Sequence, residues 1–269
     1  MIYLSIDWNP NIELFKIGSF AIRYYSLMFV IAFVLGLQLM KRIYINDKVS
    51  LEKLDSLFIY TVVATLIGAR IGHFLFYDTK FLLEHPLEVL LPVRFNPFQF
   101  TGYQGLASHG GAIAVMIAMY FYSKNILKKP LLWILDRIGI PVAIGGMFVR
   151  IGNLMNSEII GKPTNSDYGF IFRQLGEDFP RHPTQLYEAF GYLLTFIILW
   201  LVYWKTNKKE KLGYIFGLFF ALLWSVRFIV EFFKEAQVDQ RAAWDLNTGQ
   251  LLSIPLILLG LYFMFRKEK

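Results

Sequence analysis

GYIFGLFFALLWSVRFIVEFF, residues 213 to 233, holds only two charged side chains, Arg227 and Glu231, in a run otherwise apolar, aromatic or small. As a helix rising about 1.5 Å per residue, such a run is long enough to cross a hydrocarbon core roughly 30 Å thick. Similar runs recur along the chain, and seven spans are predicted: about 21–41, 57–77, 106–123, 137–155, 185–204, 213–233 and 250–265. The fourth contains Pro141 and Gly145-Gly146, breakers that membrane helices tolerate when neighbours satisfy the freed backbone groups. Small residues such as those of Gly68-Ala-Arg-Ile-Gly72 favour close helix packing. The expected fold is an all-α integral membrane protein, a bundle of about seven transmembrane helices.

Composition agrees. The 269 residues are 56% hydrophobic and 17% charged, against roughly 25% charged in ordinary soluble domains. The net charge of +7 does not point to nucleic acid, because Lys and Arg form short clusters between apolar runs rather than one stripe. With no cysteine in the chain, disulfides, thiolate metal sites and a cysteine nucleophile are excluded, so any thiol in the chemistry belongs to a partner. Residues 1–20, with Asp7, Glu13 and Lys16 scattered through them, lack the pattern of a cleaved signal peptide.

Fourteen basic residues fall in one set of alternate loops, in clusters such as Lys124, Lys128 and Lys129 or Lys205, Lys208, Lys209 and Lys211; the opposite set holds nine, including Arg241, over longer loops. The positive-inside rule then places the amino terminus outside and the carboxyl terminus in the cytoplasm. The outer loops, 77–105 and 156–184, are rich in Pro and Gly and are expected to be structured. The whole chain reads as one polytopic domain, with 156–184 an extracytoplasmic loop or small head segment. No internal repeat of the transporter kind is visible.

Away from the first residues of the predicted spans, three arginines fall inside them, and each costs at least ~2.5 kcal/mol at a helix centre on insertion scales. Arg70, near His73 and Asp78, is read either as snorkelling to the headgroups or as a site residue. Arg150 opens the run Arg150-Ile-Gly-Asn153-Leu-Met-Asn156-Ser-Glu158-Ile-Ile-Gly161. Amides, a carboxylate and a planar guanidinium clustered where a helix meets a glycine-containing loop can hold a phosphate and glycerol hydroxyls. The alternative is a polar helix terminus bonding its own backbone. Arg227 and Glu231 stand at i, i+4 and are expected to pair on one face, as a site or as a staple. His109, in Ser108-His-Gly-Gly111, is either structural or a general base, since an ordinary imidazole titrates near 6.5. No histidine spacing suggests a metal, and no cofactor is expected.

These residues resemble those of the bacterial prolipoprotein diacylglyceryl transferases, and the likeness covers nearly the whole chain. The family pattern Gly-Arg-x-Gly-Asn-Phe-x-Asn-x-Glu-x-x-Gly is similar to 149–161, keeping Arg150, Gly152, Asn153, Asn156, Glu158 and Gly161 but departing at Val149 and Leu154. His109-Gly-Gly, the stretch from Arg181 to Glu188, the Arg227 to Glu231 segment and the stretch from Gly249 to Pro255 match in family order. Tyr25 stands where relatives have a Tyr-Gly pair, though Ser26 replaces the glycine.

The resemblance implies transfer of the diacylglyceryl group of phosphatidylglycerol to the lipobox cysteine thiol of a preprolipoprotein signal peptide, releasing glycerol phosphate at the outer face of the bacterial cytoplasmic membrane. His109, Arg150, Arg227 and Glu231 would be catalytic. Tyr25, Arg70, Arg150, Asn153, Asn156, Glu158, Gly161 and Glu188 would bind the lipid. The bilayer and the two substrates are the implied partners. A transporter or flippase for an anionic lipid is the competing class, because it too would place arginines in a bundle.

Overall fold

The computed structural model describes residues 4–17, 20–101, 105–235 and 246–267; Arg241 and Lys269 among the loop cations, and residues 1–3 and 18–19 of the amino-terminal stretch, lie outside them. Seven long helices account for the predicted spans. Six have the length and apolarity to cross a membrane: α1 (Tyr24–Asn46), α2 (Leu51–Tyr77), α5 (Ser108–Tyr122, continued by a π turn to Leu127), α6 (Leu131–Met155), α7 (Thr184–Lys205) and α9 (Thr248–Phe265). The seventh, α8 (Tyr214–Val230), is equally apolar but has 17 residues, about 25 Å of helix. The short helices α3 (Thr79–Glu84) and α4 (Pro86–Leu90) lie between α2 and α5. Three two-stranded sheets pair β1 (Leu4–Trp8) with β6 (Tyr168–Phe172) in parallel, β2 (Glu13–Ile17) with β3 (Phe20–Arg23), and β4 (Val93–Phe95) with β5 (Phe98–Phe100).

Two boundaries differ from the sequence reading for physical reasons. The fourth span begins at Leu131, not 137, because Asp136 and Arg137 are absorbed into the helix as buried, mutually close groups, 3.9 Å apart. The sixth ends at Val230, not 233, because the chain leaves the helix after Glu231 to bond residues 160–162: Lys162 N donates to Phe233 O at 2.8 Å and Glu235 N to Ile160 O at 3.2 Å.

The chain divides into two compact units, residues 41–134 and the remainder. In the first, α2 and α5 cross backbone to backbone. A Cβ on Gly72 would lie 2.6 Å from Gly110 Cα, and one on Gly110 would lie 2.5 Å from Gly68 O. Only glycine permits that approach, the small-residue packing expected where lipid provides no hydrophobic drive between helices. In the second unit α8 and α9 cross in the same way at Gly217 and Gly260, where a Cβ on Gly217 would lie 2.5 Å from Gly260 O.

The start of α8 is fixed from another helix. Asp136 of α6, fully buried, accepts hydrogen bonds from Gly213 N at 2.7 Å and Phe216 N at 2.8 Å, so a carboxylate caps the positive end of a helix dipole. The other end of α8 runs into a structured segment. Trp8 Nε1 donates to Leu154 O at 2.9 Å, Arg173 pairs with Asp7 at 2.6 Å, and Gln174 bonds Pro10 O, tying the amino-terminal strand to the connection after α6.

Replacing Asp136 with Ala should strand the two buried amides, a loss of about 1–3 kcal/mol. Thermal unfolding in detergent should show a lowered midpoint for Asp136→Ala and a smaller drop for Asp136→Asn, which keeps one acceptor. An unchanged midpoint for both would mean that α8 is anchored elsewhere.

Candidate functional site

Glu188 is completely removed from solvent on the first turns of α7. A lone carboxylate there would be costly, and the chain meets the cost with cations from two other segments. Arg150, near the end of α6, places Nε 2.5 Å from Glu188 Oε2; Lys234, just beyond α8, places Nζ 2.9 Å from Glu188 Oε1. Lys234 also meets Glu231 Oε2 at 3.3 Å. The result is a buried row of alternating charge: Arg150, Glu188, Lys234, Glu231.

From Arg150 the row continues into amides. Its NH1 donates to Asn153 Oδ1 at 3.0 Å, Asn153 Nδ2 donates to Glu158 Oε2 at 3.2 Å, and Asn156 Nδ2 donates to Glu158 Oε1 at 3.0 Å. Arg150 and Asn153 meet as i, i+3 neighbours on one helix face. Glu158 is exposed, held between Ser157 (φ 53°) and Ile159 (φ 57°), both left-handed. For a β-branched residue such a φ is strained, by about 1–3 kcal/mol. The surroundings hold the kink: buried Gln185 donates from Nε2 to Glu158 O at 2.6 Å, and Ser157 donates to Gln174 Oε1 at 3.0 Å. Two tyrosines flank the row, Tyr192 close to Arg150 and Tyr25 close to Asn153. A Cβ on Gly152 would lie 2.8 Å from the Tyr25 ring, so that glycine makes room for the tyrosine.

The structure therefore brings together Tyr25, Arg150, Asn153, Asn156, Glu158 and Glu188, with Glu231 at the far end. The geometry decides two readings the sequence offers, the pairing of Arg227 with Glu231 and the snorkelling of Arg70. Arg227 and Glu231 do not form an ion pair; Glu231 turns to Lys234 and packs against the first turn of α9, where a Cβ on Gly249 would lie 2.5 Å from its carboxylate. Arg227 lies over the Trp224 ring at 5.6 Å, and its buried Nε has no hydrogen-bond partner among the described residues. Arg70, in the other unit, does not snorkel: it is buried and donates to Val89 O at 3.0 Å and Glu88 O at 3.1 Å. Gly161 contributes close backbone approach, since a Cβ there would lie 2.9 Å from Phe233 O and would also strike His182 O. His109, also in the other unit, is an exposed residue in the first turn of α5, its ring 4.8 Å from that of Phe76.

Lys234, Tyr192 and Gln185 were missed. Lys234 looked like one more outer-loop charge; its i, i+3 spacing from Glu231 was the available signal. Tyr192 stands at i+4 from Glu188 but reads as ordinary span aromaticity. Outside the helices, Arg181 braces the same segment with a two-pronged bond to Glu177, 2.6 and 2.7 Å, and a bond to Gly161 O at 3.0 Å. Hydrogen bonding to Glu177 raises the Arg181 pKa above its ordinary value. Burial lowers that of His182, so His182 favours the fold in its neutral form, a contribution present above about pH 6.5 and lost as pH falls through the lowered value.

Helices of membrane length and a buried row of cations and carboxylates, with one further guanidinium unpartnered at Nε among the described residues, define a multi-pass membrane protein. Comparison with known proteins makes this specific. The prolipoprotein diacylglyceryl transferase family profile matches residues 12–266. Similar proteins named phosphatidylglycerol–prolipoprotein diacylglyceryl transferase include one from Bacteroides fragilis, 43% identical over 97% of this chain and 95% of its own length. Others are from Tolumonas auensis, 39% identical over 97% of each chain, and Chloroherpeton thalassium, 39% identical over 98% of this chain and 95% of its own. The chain belongs to the prolipoprotein diacylglyceryl transferase family, and these names give the transporter reading no support.

If Gly161 acts through close approach, Gly161→Ala should displace the 232–235 segment and with it Lys234, lowering transferase activity by at least about tenfold. Gly176→Asn, at a left-handed turn (φ 74°) with open space around it, should leave activity near normal. Equal effects of the two would contradict this role.

Proposed function

We propose that the protein transfers the diacylglyceryl group of phosphatidylglycerol to the lipobox cysteine thiol of a preprolipoprotein, the first step of lipoprotein lipidation, at the outer face of the bacterial cytoplasmic membrane with its amino terminus outside. Family membership supports the reaction, and the observation that carries the residue roles is the buried charge row beside an Arg227 that has no carboxylate partner among the described residues.

In this reading the thiolate sulfur attacks the glyceryl carbon, the bond from that carbon to the phosphate oxygen breaks, and glycerol phosphate leaves with the electron pair. Negative charge grows on the leaving phosphate, and Arg150 and Arg227 are the groups that would meet it in a site dry enough for the interaction to count. Glu188 and Asn153 hold the Arg150 fork in one orientation, so no reorganisation is required as the bond breaks. Asn153, Asn156 and Glu158 offer donors and acceptors matching the glycerol hydroxyls, and Tyr25 borders them. Glu231 stands at the far end of the row with its carboxylate beside Lys234. A free thiol with a pKa near 8.5 is only about 3% ionised at pH 7, and the family resemblance gives His109 the task of taking its proton.

The direct test incubates purified protein with vesicles containing phosphatidylglycerol labelled in its acyl chains and a lipobox peptide. Label should become bound to the peptide only when the cysteine is present; a protein that moves lipid without that bond forming would be a carrier. Arg150→Lys, which retains charge but not the planar fork, should insert normally and lose about a hundredfold in kcat/KM, roughly 2.7 kcal/mol. Full activity with Lys would reduce Arg150 to a source of charge. His109→Gln should still bind lipid yet transfer slowly, its deficit shrinking as pH rises toward the thiol pKa; an equal fractional loss at every pH would remove His109 as the base.

A further inference from the structure

Arg227 and Glu231 have the spacing of a helical ion pair, and the backbone preserves it. Glu231 remains in the right-handed helical region (φ −61°, ψ −23°) and its N–H bonds Arg227 O at 3.0 Å. A carboxylate in that position would normally close on the guanidinium one turn back. It does not; its Oε2 lies instead 3.3 Å from Lys234 Nζ. Lys234 is only 5% exposed, and its backbone is latched by the bridge to Gly161. Its ammonium donates to Glu188 Oε1 at 2.9 Å and stands 3.3 Å from Glu231 Oε2, an ion pair without a hydrogen bond among the described residues. Asn247 Nδ2 donates to Glu231 O at 3.2 Å, fixing the turn from the start of α9.

The geometry points to Lys234 as a positioning residue that keeps Arg227 open to the substrate phosphate by occupying the carboxylate that would otherwise neutralise it. The charge arithmetic supports this. In the buried part of the row Arg150 and Lys234 offset Glu188 and Glu231, while the third carboxylate, Glu158, is exposed and held by Asn153 and Asn156, leaving the charge of Arg227 available to an incoming anion. Without Lys234, Glu231 would keep one cation within reach on its own helix, Arg227, and the phosphate would have to displace it. Lys234 need not touch lipid for this. The inference rests on the proposed phospholipid substrate and adds a reason why that substrate finds a free guanidinium.

The test measures binding of short-chain phosphatidylglycerol to the purified full-length protein in nanodiscs, with short-chain phosphatidylcholine as the control. Lys234→Met should weaken phosphatidylglycerol binding about tenfold, Lys234→Arg should stay within about threefold of the parent, and Lys234→Met with Glu231→Gln should recover to within about threefold. Recovery on removing a second charge is not expected of a residue that merely supports the fold. Glu231→Gln alone, which removes the competitor and leaves Lys234 with Glu188, should bind at least as tightly as the parent. Wild-type binding by Lys234→Met, a double variant as weak as Lys234→Met, or weakened binding by Glu231→Gln would each overturn the role given to Lys234. Should Lys234→Met fail to fold, the Glu231→Gln result decides. A parent protein that prefers neither lipid would instead overturn the phospholipid reading itself.

Discussion

A carboxylate with no exposed surface on a membrane helix must find positive charge or lose its own, and Glu188 sets the terms for much of the surrounding structure. It draws Arg150 from the end of α6 and Lys234 from beyond α8. Each cation then organises its own segment. Arg150 orders Asn153 and, through it, Glu158; Lys234 holds Glu231 against the start of α9. Three helices that the sequence separates by tens of residues are thereby pinned to one another by charge. Buried pairs of this kind seldom gain stability over apolar packing, so their presence is better explained by what they orient.

The glycines and the strained turn serve the same end. Gly152 admits the Tyr25 ring, Gly161 admits the turn that carries Lys234, and Gly249 admits the Glu231 carboxylate. Ser157 and Ile159 hold a left-handed kink around Glu158, stabilised by Gln185 and Gln174. Strain held in place by buried hydrogen bonds is the pattern expected where side chains are aimed for chemistry rather than placed for packing.

Much of this was legible in the sequence, for identifiable reasons. Hydropathy reports membrane helices directly because the bilayer admits so few alternatives, and all seven runs became helices. The charged motif from Arg150 to Gly161 was legible because buried charge is rare enough to be noticed. The pairing of Arg227 with Glu231 was misread because helical spacing states only which partners are possible, and a competing cation from a turn three residues on was invisible to it. Of the two readings open for Arg70, snorkelling and a site, the sequence could not choose, because its partners, the carbonyls of Glu88 and Val89, carry no sequence signal.

The central claim is that Glu188 and Arg150 depend on each other, and a double-mutant cycle on unfolding free energy in bicelles tests it most directly. Arg150→Met, Glu188→Gln and the double variant should show a coupling above about 1 kcal/mol, with the double variant less destabilised than the two single losses added together. Losses that simply add, to within about 0.5 kcal/mol, would contradict it, because the two groups would then be neighbours without being partners.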